Sequence, residues 1–297
     1  MLSMGIKKGV KRVLFSIDSS IADVMYKRPY FDRESKARKQ NPDKILHLDL
    51  VITECCSLKC RDCSNLMQYY QHPENLYSDD VINDLRKLFE SVCVGELKIL
   101  GGEPFVNQKV LCDVLDFLSK NYTEKYDLIS IITNGTIIPN AECLESIKNN
   151  PKTHIVFSNY GDLSAHQDEL IRICTDENIR YSVIDDSFYW FDFGQPVEYD
   201  EPDIFVRKQY KQCYNRKYCN TLYRGGIYAC PRQAHAIHLG LIPDTKDEYV
   251  DLYDPRYENK DDLKNAISGI ANRKQPLTAC RYCIVSKYIH VKRGIQK

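Results

Sequence analysis

The chain has 297 residues, enough for one large core and a smaller appended module. Of these 43 % are hydrophobic, and 41 lysines and arginines balance 41 aspartates and glutamates, so the composition is that of a globular protein with no general attraction to nucleic acid. No apolar run reaches the roughly 18 residues of a membrane span, and 13 cysteines in a long chain without a cleavable apolar signal segment point to metal ligation in a reducing cytoplasm rather than to disulfides.

Residues 1–44 hold 11 basic side chains against five acidic ones. Within them Val10, Val13, Leu14, Ile17, Ile21, Val24 and Met25 recur at helical spacing, which predicts an amphipathic helix with a basic outer face. Such a helix docks on its own domain or rests on an anionic surface. From residue 45 short apolar strands alternate with helices. Leu46, Leu48, Leu50 and Ile52 alternate as in a strand, and Cys56-Ser-Leu-Lys-Cys60-Arg-Asp-Cys63 follows at once. Ser78 reads as the N-cap of a helix with Val81, Ile82, Leu85, Leu88, Phe89 and Val92 on one face. The strand Leu97–Leu100 leads into Gly101-Gly102-Glu103-Pro104, where glycines admit close backbone approach and proline stiffens the exit. A helix on Val110–Leu118, a strand Leu128–Thr133, a helix from about Pro139 to Lys148, a strand His154–Phe157, a further helix and a strand Tyr181–Ile184 complete the series. Repeated units of this kind predict an α/β fold with a parallel sheet, helices outside and ligands beyond the strand C-termini.

Three thiolates spaced C-x3-C-x2-C can hold three irons of a cubane and leave the fourth without a protein ligand, whereas electron-transfer clusters are usually closed by four cysteines. Zinc also accepts thiolates, more often from C-x2-4-C pairs. The cysteine loop together with Gly101-Gly102-Glu103-Pro104 resembles the signature of the radical S-adenosylmethionine (SAM) enzymes. That resemblance implies a partial (β/α)6 TIM-like barrel. It also implies a first [4Fe-4S] cluster on Cys56, Cys60 and Cys63, with SAM chelating the open iron and held by Gly101, Gly102, Glu103 and Pro104. Asn134 and Ser158 stand at strand ends where the family contacts the ribose and carboxylate of SAM; as turn residues they equally suit a capping role. Asp62 occupies the position before the third cysteine, where many members carry an aromatic residue.

Beyond the aromatic-rich connection 186–212 lie Cys213, Cys219, Cys230, Cys280 and Cys283. Cys213 and Cys230 around Gly225, followed by Cys280-x2-Cys283, resemble the twitch module, a short relative of the SPASM domain. The resemblance implies a hairpin presenting Cys213 and Cys230, and a second, auxiliary [4Fe-4S] cluster closed by Cys213, Cys230, Cys280 and Cys283. A zinc ribbon on the same residues, or Cys219 in place of Cys213, stays open on spacing alone. Cys55, Cys93, Cys112, Cys143 and Cys174 read as small core hydrophobes.

The expected organisation is a basic extension 1–44, a core barrel 45–185, the connection 186–212 and an auxiliary cluster domain 213–297. The expected activity is that of a cytoplasmic oxidoreductase, reduced by flavodoxin or ferredoxin. It cleaves SAM to a 5′-deoxyadenosyl radical, takes a hydrogen from a carbohydrate-like small molecule and dehydrogenates or epimerises it. The alternatives are a peptide-modifying enzyme that cross-links or epimerises residues, and an electron-transfer or interaction protein. Tyr160, Asp162, Arg232 and His235 can move protons, but each more often serves as a structural or surface residue.

Overall fold

The computed structural model describes residues 44–184, 190–284 and 289–297. The helix expected over Val10–Met25 lies outside them, as do Phe188 and Tyr189 of the aromatic stretch. Ile45–Lys297 forms one compact unit.

The strand and helix order follows the apolar periodicities: β1 (Lys44–Val51), α1 (Ser78–Ser91), β2 (Cys93–Leu100), α2 (Gln108–Asn121), β3 (Tyr126–Thr133), α3 (Ala141–Lys148), β4 (Thr153–Ser158), α4 (Gln167–Asp176) and β5 (Tyr181–Ile184). They lie in the sheet in the sequence β5-β4-β3-β2-β1, with parallel registers such as Ile99 opposite Ile131 and Ile131 opposite Ile155. Val81, Leu85, Leu88 and Phe89 form the buried stripe of α1, and Val110, Leu111, Val114, Leu115 and Leu118 that of α2. Cutting a fully buried leucine such as Leu88 to alanine in such a layer costs about 2–5 kcal/mol. Ser78 is not the N-cap of α1. Tyr77 occupies that position, and Ser78 is the first helical residue, its hydroxyl bonded to Asp113 of α2.

The sheet does not stop at β1. After α5 (Asp203–Gln212) and the single turn α6 (Asn215–Tyr218), β6 (Asn220–Tyr223) pairs parallel with the other edge of β1, Leu48 opposite Asn220. Then β7 (Gly226–Tyr228) and β8 (Val250–Asp251) add antiparallel strands, so the described sheet has eight strands and is open. The β6–β7 turn places Arg224 and Gly225 at φ 48° and 75°, the left-handed region that glycine enters without strain. Helices α7 (Pro231–His238) and α8 (Lys260–Ala271) complete this half, α8 packing against α1. An open sheet with six parallel strands is the partial barrel expected from the resemblance. The expected hairpin is present, but Cys219 and Cys230 flank its base, and Cys213 lies further back, at the end of α5.

One sheet face is polar near the strand starts. His47 Nδ1 lies 3.0 Å from Glu96 Oε2, Ser130 Oγ donates to Glu96 Oε1 at 2.6 Å, and His154 Nδ1 is 3.5 Å from Ser130 Oγ. Burial alone would raise the Glu96 pKa, but the bonds from His47 and Ser130 and the nearby Lys98 bring it down to about 2. The alternate residues Leu97 and Ile99 are fully buried in the hydrophobic core. Among the described residues no helix is long and apolar enough to cross a membrane.

Candidate functional site

The C-terminal ends of β1 and β2 are bound together. Ile52 N donates to Leu100 O at 2.9 Å, Gly102 N to Thr53 O at 2.9 Å and Glu103 N to Cys55 O at 2.8 Å, so the ladder runs past both strands into the two motifs. The approach is close enough to dictate residue type. A Cβ on Gly101 would stand 2.1 Å from Thr53 O, and one on Gly102 would stand 2.1 Å from Cys55 O and 2.8 Å from the Cys56 Cβ. Asn107, which sequence reading passed over, tightens the junction from behind, its Nδ2 donating to Ile52 O at 2.8 Å and Leu76 O at 3.1 Å.

The cysteine loop begins at this junction. Cys60 is buried, Cys56 and Cys63 partly so. Burial is the largest cause raising each thiol, and the neighbouring sulfurs add to it for Cys56 and Cys60; Cys56 is pushed up to about 12. Opposing this, backbone N–H groups of Leu58 face Cys56 and those of Met67, Asn65 and Leu66 face Cys63. Asn134 Nδ2 lies 3.8 Å from Cys56 Sγ and donates to Ser57 Oγ at 3.0 Å, and Gln296 Nε2 lies 3.5 Å from Cys60 Sγ. Crowded thiols that repel one another when ionised, ringed by N–H donors, form a donor set that a cationic iron–sulfur group stabilises. Among the described residues no three His, Cys, Asp or Glu side chains converge as ligands of a single ion. A cubane, whose irons are separate corners, does not require that convergence.

Glu103 is 1 % exposed beside the loop. Its carboxylate accepts from Asn134 N at 2.7 Å, Thr133 Oγ1 at 2.8 Å and Phe105 N at 3.2 Å, the last capping the turn begun by Pro104. Burial outweighs these bonds and raises its pKa to about 7, so a further N–H donor placed here would stabilise the carboxylate. Asn134 therefore touches both motifs, through its backbone to Glu103 and its side chain to the loop. Ser158 ends β4 at the same edge of the sheet, its carbonyl accepting from Ser164 Oγ at 3.4 Å. Tyr160, just beyond, is close enough to Cys56, Cys60, Cys63 and Glu103 for their charges to raise its pKa further, after burial as the main cause. Trp190 meets it edge to face at 5.5 Å. Asp162 is exposed in the following turn, away from these contacts.

The second cysteine group assembles from three elements. Cys213 caps α5 and faces the N–H groups of Asn215 and Arg216. Cys230 caps the N-terminus of α7, where Gln233 N lies 3.4 Å from its sulfur. Cys280 and Cys283 sit on a turn whose carbonyls both accept from the buried Gln209, at 2.8 and 3.0 Å. After burial, the charges of Cys213 and Cys283 raise Cys230, and those of Cys230, Cys213 and Cys283 raise Cys280. The four expected cysteines are thus near enough for their charges to act on one another. Cys219 lies near Asp49 of β1, Cys213 and Cys230, whose charges raise its thiol after burial, and Lys98 faces Asp49 at 3.5 Å.

Arg232 lies near both groups, its positive charge lowering Cys63 and Cys230 alike. It is 5 % exposed and donates to Gly194 O at 2.6 Å and Tyr282 O at 3.3 Å. His235 is fully buried elsewhere, with Tyr70 Oη 2.8 Å from Nδ1 and no hydrogen-bond partner for Nε2 among the described residues. It adjoins a network in which Glu54 receives Tyr223 Oη, Arg224 at 2.8 Å and His238 at 3.4 Å. Neither its isolation from the thiols nor Arg232's position between them was visible in residue spacing.

Residues 49–157 match the 4Fe-4S single cluster domain. The match spans the cysteine loop and Gly101–Pro104 and bears out the resemblance read from them. A search of curated proteins finds no match. Among solved structures, SuiB of Streptococcus suis bound to S-adenosylmethionine is similar at 17 % identity, over 51 % of this chain and 35 % of that one, with a TM-score of 0.36. The chain thus spans about a third of the SuiB chain that it matches. Native anSMEcpe with bound AdoMet and Kp18Cys peptide is similar at 12 % identity, over 84 % and 93 %, TM-score 0.49. BtrN in complex with AdoMet and 2-DOIA is similar at 10 % identity, over 85 % and 98 %, TM-score 0.49. Likenesses this distant decide nothing about chemistry.

Proposed function

We propose that the protein is a radical SAM oxidoreductase with a second iron–sulfur site. The observation that carries this reading is the junction of the two motifs: a three-cysteine loop and a buried carboxylate, locked together by backbone bonds that only glycine permits. Cys56, Cys60 and Cys63 would hold the first cluster and Cys213, Cys230, Cys280 and Cys283 the second. When bound, the first cluster supplies the electron that splits SAM to methionine and a 5′-deoxyadenosyl radical, and the second offers an acceptor for an electron leaving the substrate.

The chain's own part is positioning. Glu103 accepts from the amino group of SAM, Gly101 and Gly102 let the end of β2 close on the cysteine loop so that this carboxylate lies beside it, and Asn134 holds Ser57 and Cys56 in place. Ser158 faces the same edge as a further SAM contact. Tyr160 and Trp190 form an aromatic wall near the thiols, suited to a carbohydrate-like molecule with apolar ring faces and polar rims. Dehydrogenation or epimerisation of such a substrate, with flavodoxin or ferredoxin as reductant, is the reaction we favour; modification of a peptide is the competing one.

Replacing Cys56, Cys60 and Cys63 together with alanine should lower the iron of anaerobically reconstituted protein from about eight to about four per chain and abolish 5′-deoxyadenosine formation. A triple variant that still makes 5′-deoxyadenosine would refute the assignment.

A further inference from the structure

Residues 289–297 run back to the first cysteine loop, and nothing in the loop's spacing announces this. Arg61 N donates to Ile295 O at 2.7 Å and Lys297 N to Lys59 O at 2.8 Å, with Cys60 and Gln296 directly opposed as in a two-strand bridge. Gln296 closes the pairing with its side chain. Its Oε1 accepts from Lys59 N at 2.7 Å, which fixes the orientation of the amide because only an oxygen can accept there. That orientation turns Nε2 towards Cys60 Sγ, at 3.5 Å, and Gly294 O, at 2.8 Å. Lys297 reaches on, its ammonium over the Tyr69 ring at 5.3 Å and 3.4 Å from Gln68 O. At the near end Gly294 has φ 69°, and a Cβ there would stand 2.9 Å from Leu163 and 3.2 Å from Tyr160.

We propose that Gly294–Lys297 is a strap on the first cysteine loop, and that Gln296 is a positioning residue whose amide sets the charge balance at Cys60. The inference rests on the reading of that loop as the seat of a [4Fe-4S] cluster. An N–H donor to a ligating sulfur stabilises the more negative, reduced state, so it raises the reduction potential. The strap also covers Cys60, only 7 % exposed, with the exposed side chain of Gln296 on its outer side. Loss of the strap opens the sulfur to water and oxidants. The two functions of Gln296 separate chemically: a glutamate keeps the acceptor for Lys59 N–H and loses the donor to sulfur, whereas a leucine loses both.

The test uses the whole reconstituted protein as wild type, Gln296→Glu and Gln296→Leu, with iron content, an electron-paramagnetic-resonance redox titration, and decay of iron–sulfur absorbance in air. The signal of the first site is the one that the triple cysteine variant lacks. Both Gln296 variants should titrate at a more negative potential than the wild type, and Gln296→Leu should bleach several-fold faster. Wild-type potential in Gln296→Glu at full iron content overturns the proposal, whether or not Gln296→Leu retains its cluster. If the triple cysteine substitution removes no iron, the reading of the loop itself falls, and the inference with it.

Discussion

Glu103 shows what a single side chain contributes here. Its carboxylate is held by donors from Asn134, Thr133 and Phe105, yet burial leaves its pKa near about 7. The ionised carboxylate is the better acceptor for the N–H bonds of a ligand amino group, so affinity for SAM should rise as pH increases through about 7. Calorimetric titration on either side of that pH should show this in the wild type. Glu103→Gln should bind at least tenfold more weakly, with little dependence on pH, since a hydrogen bond to a charged acceptor in a dry site is worth more than about 1.4 kcal/mol. That Glu103 stands beside the cysteine loop was to be expected from the resemblance carried by its glycine-led segment after a strand. The role of Asn134 was legible only as a position, because its link to Ser57 and Cys56 crosses 77 and 78 residues that no local pattern connects.

The elements that matter most are β1 and β2, whose ends form one junction rather than two loops. Their periodicity exposed them as strands, and the glycines announced a close approach, but not to what. The answer is the backbone of Thr53 and Cys55. Gly102→Ala must therefore move the cysteine loop or strain the turn, at a cost of about 1–3 kcal/mol typical of overpacking. We expect a protein that still folds, with a lowered melting temperature, and that takes up roughly half the wild-type iron because the second site is untouched. Measuring iron and far-ultraviolet circular dichroism on one sample distinguishes this from general unfolding. Sequence reading misplaced the N-cap of α1 because serine is a good cap in general; Ser78 instead spends its hydroxyl on Asp113 of α2. It also placed Cys213 on the hairpin, where the chain has interposed α6.

Across the whole unit, buried groups make stability depend on pH with opposite signs: Glu103, raised to about 7, adds stability as pH falls from there towards about 4.5, and His235 takes stability away. Burial, with His238 nearby, outweighs the attraction of Glu54 and brings His235 down to about 3. The unfolded chain takes up a proton below about pH 6.5 that the folded one refuses, so stability is lost as pH falls from there towards about 3. The slope is at most about 1.4 kcal/mol per pH unit. Glu54, brought to about 2 by bonds from His238, Tyr223, Arg224 and the Glu74 backbone that overcome its burial, loses its contribution only below about pH 4.5, outside most of that window. Denaturant titrations at about pH 7.5 and about pH 5.5 should show the wild type losing stability relative to His235→Gln at the lower pH, Glu103 acting equally in both; an unchanged difference would refute this account. The five-strand parallel series was legible from alternating helices and strands, whereas the joining of β6 to β1 was not, since a four-residue strand carries little pattern of its own.

That joining has a consequence for kinetics. β1 lies next to both cysteine groups: its end opens into Cys56, and β6, which follows directly on Cys219, is hydrogen-bonded along its flank. On the function proposed above, the span between the two groups is set by strand register, as the spacing of teeth is set in a gear, and no hinge would have to close for charge to pass from one to the other. Transfer between them should proceed at a rate indifferent to solvent viscosity.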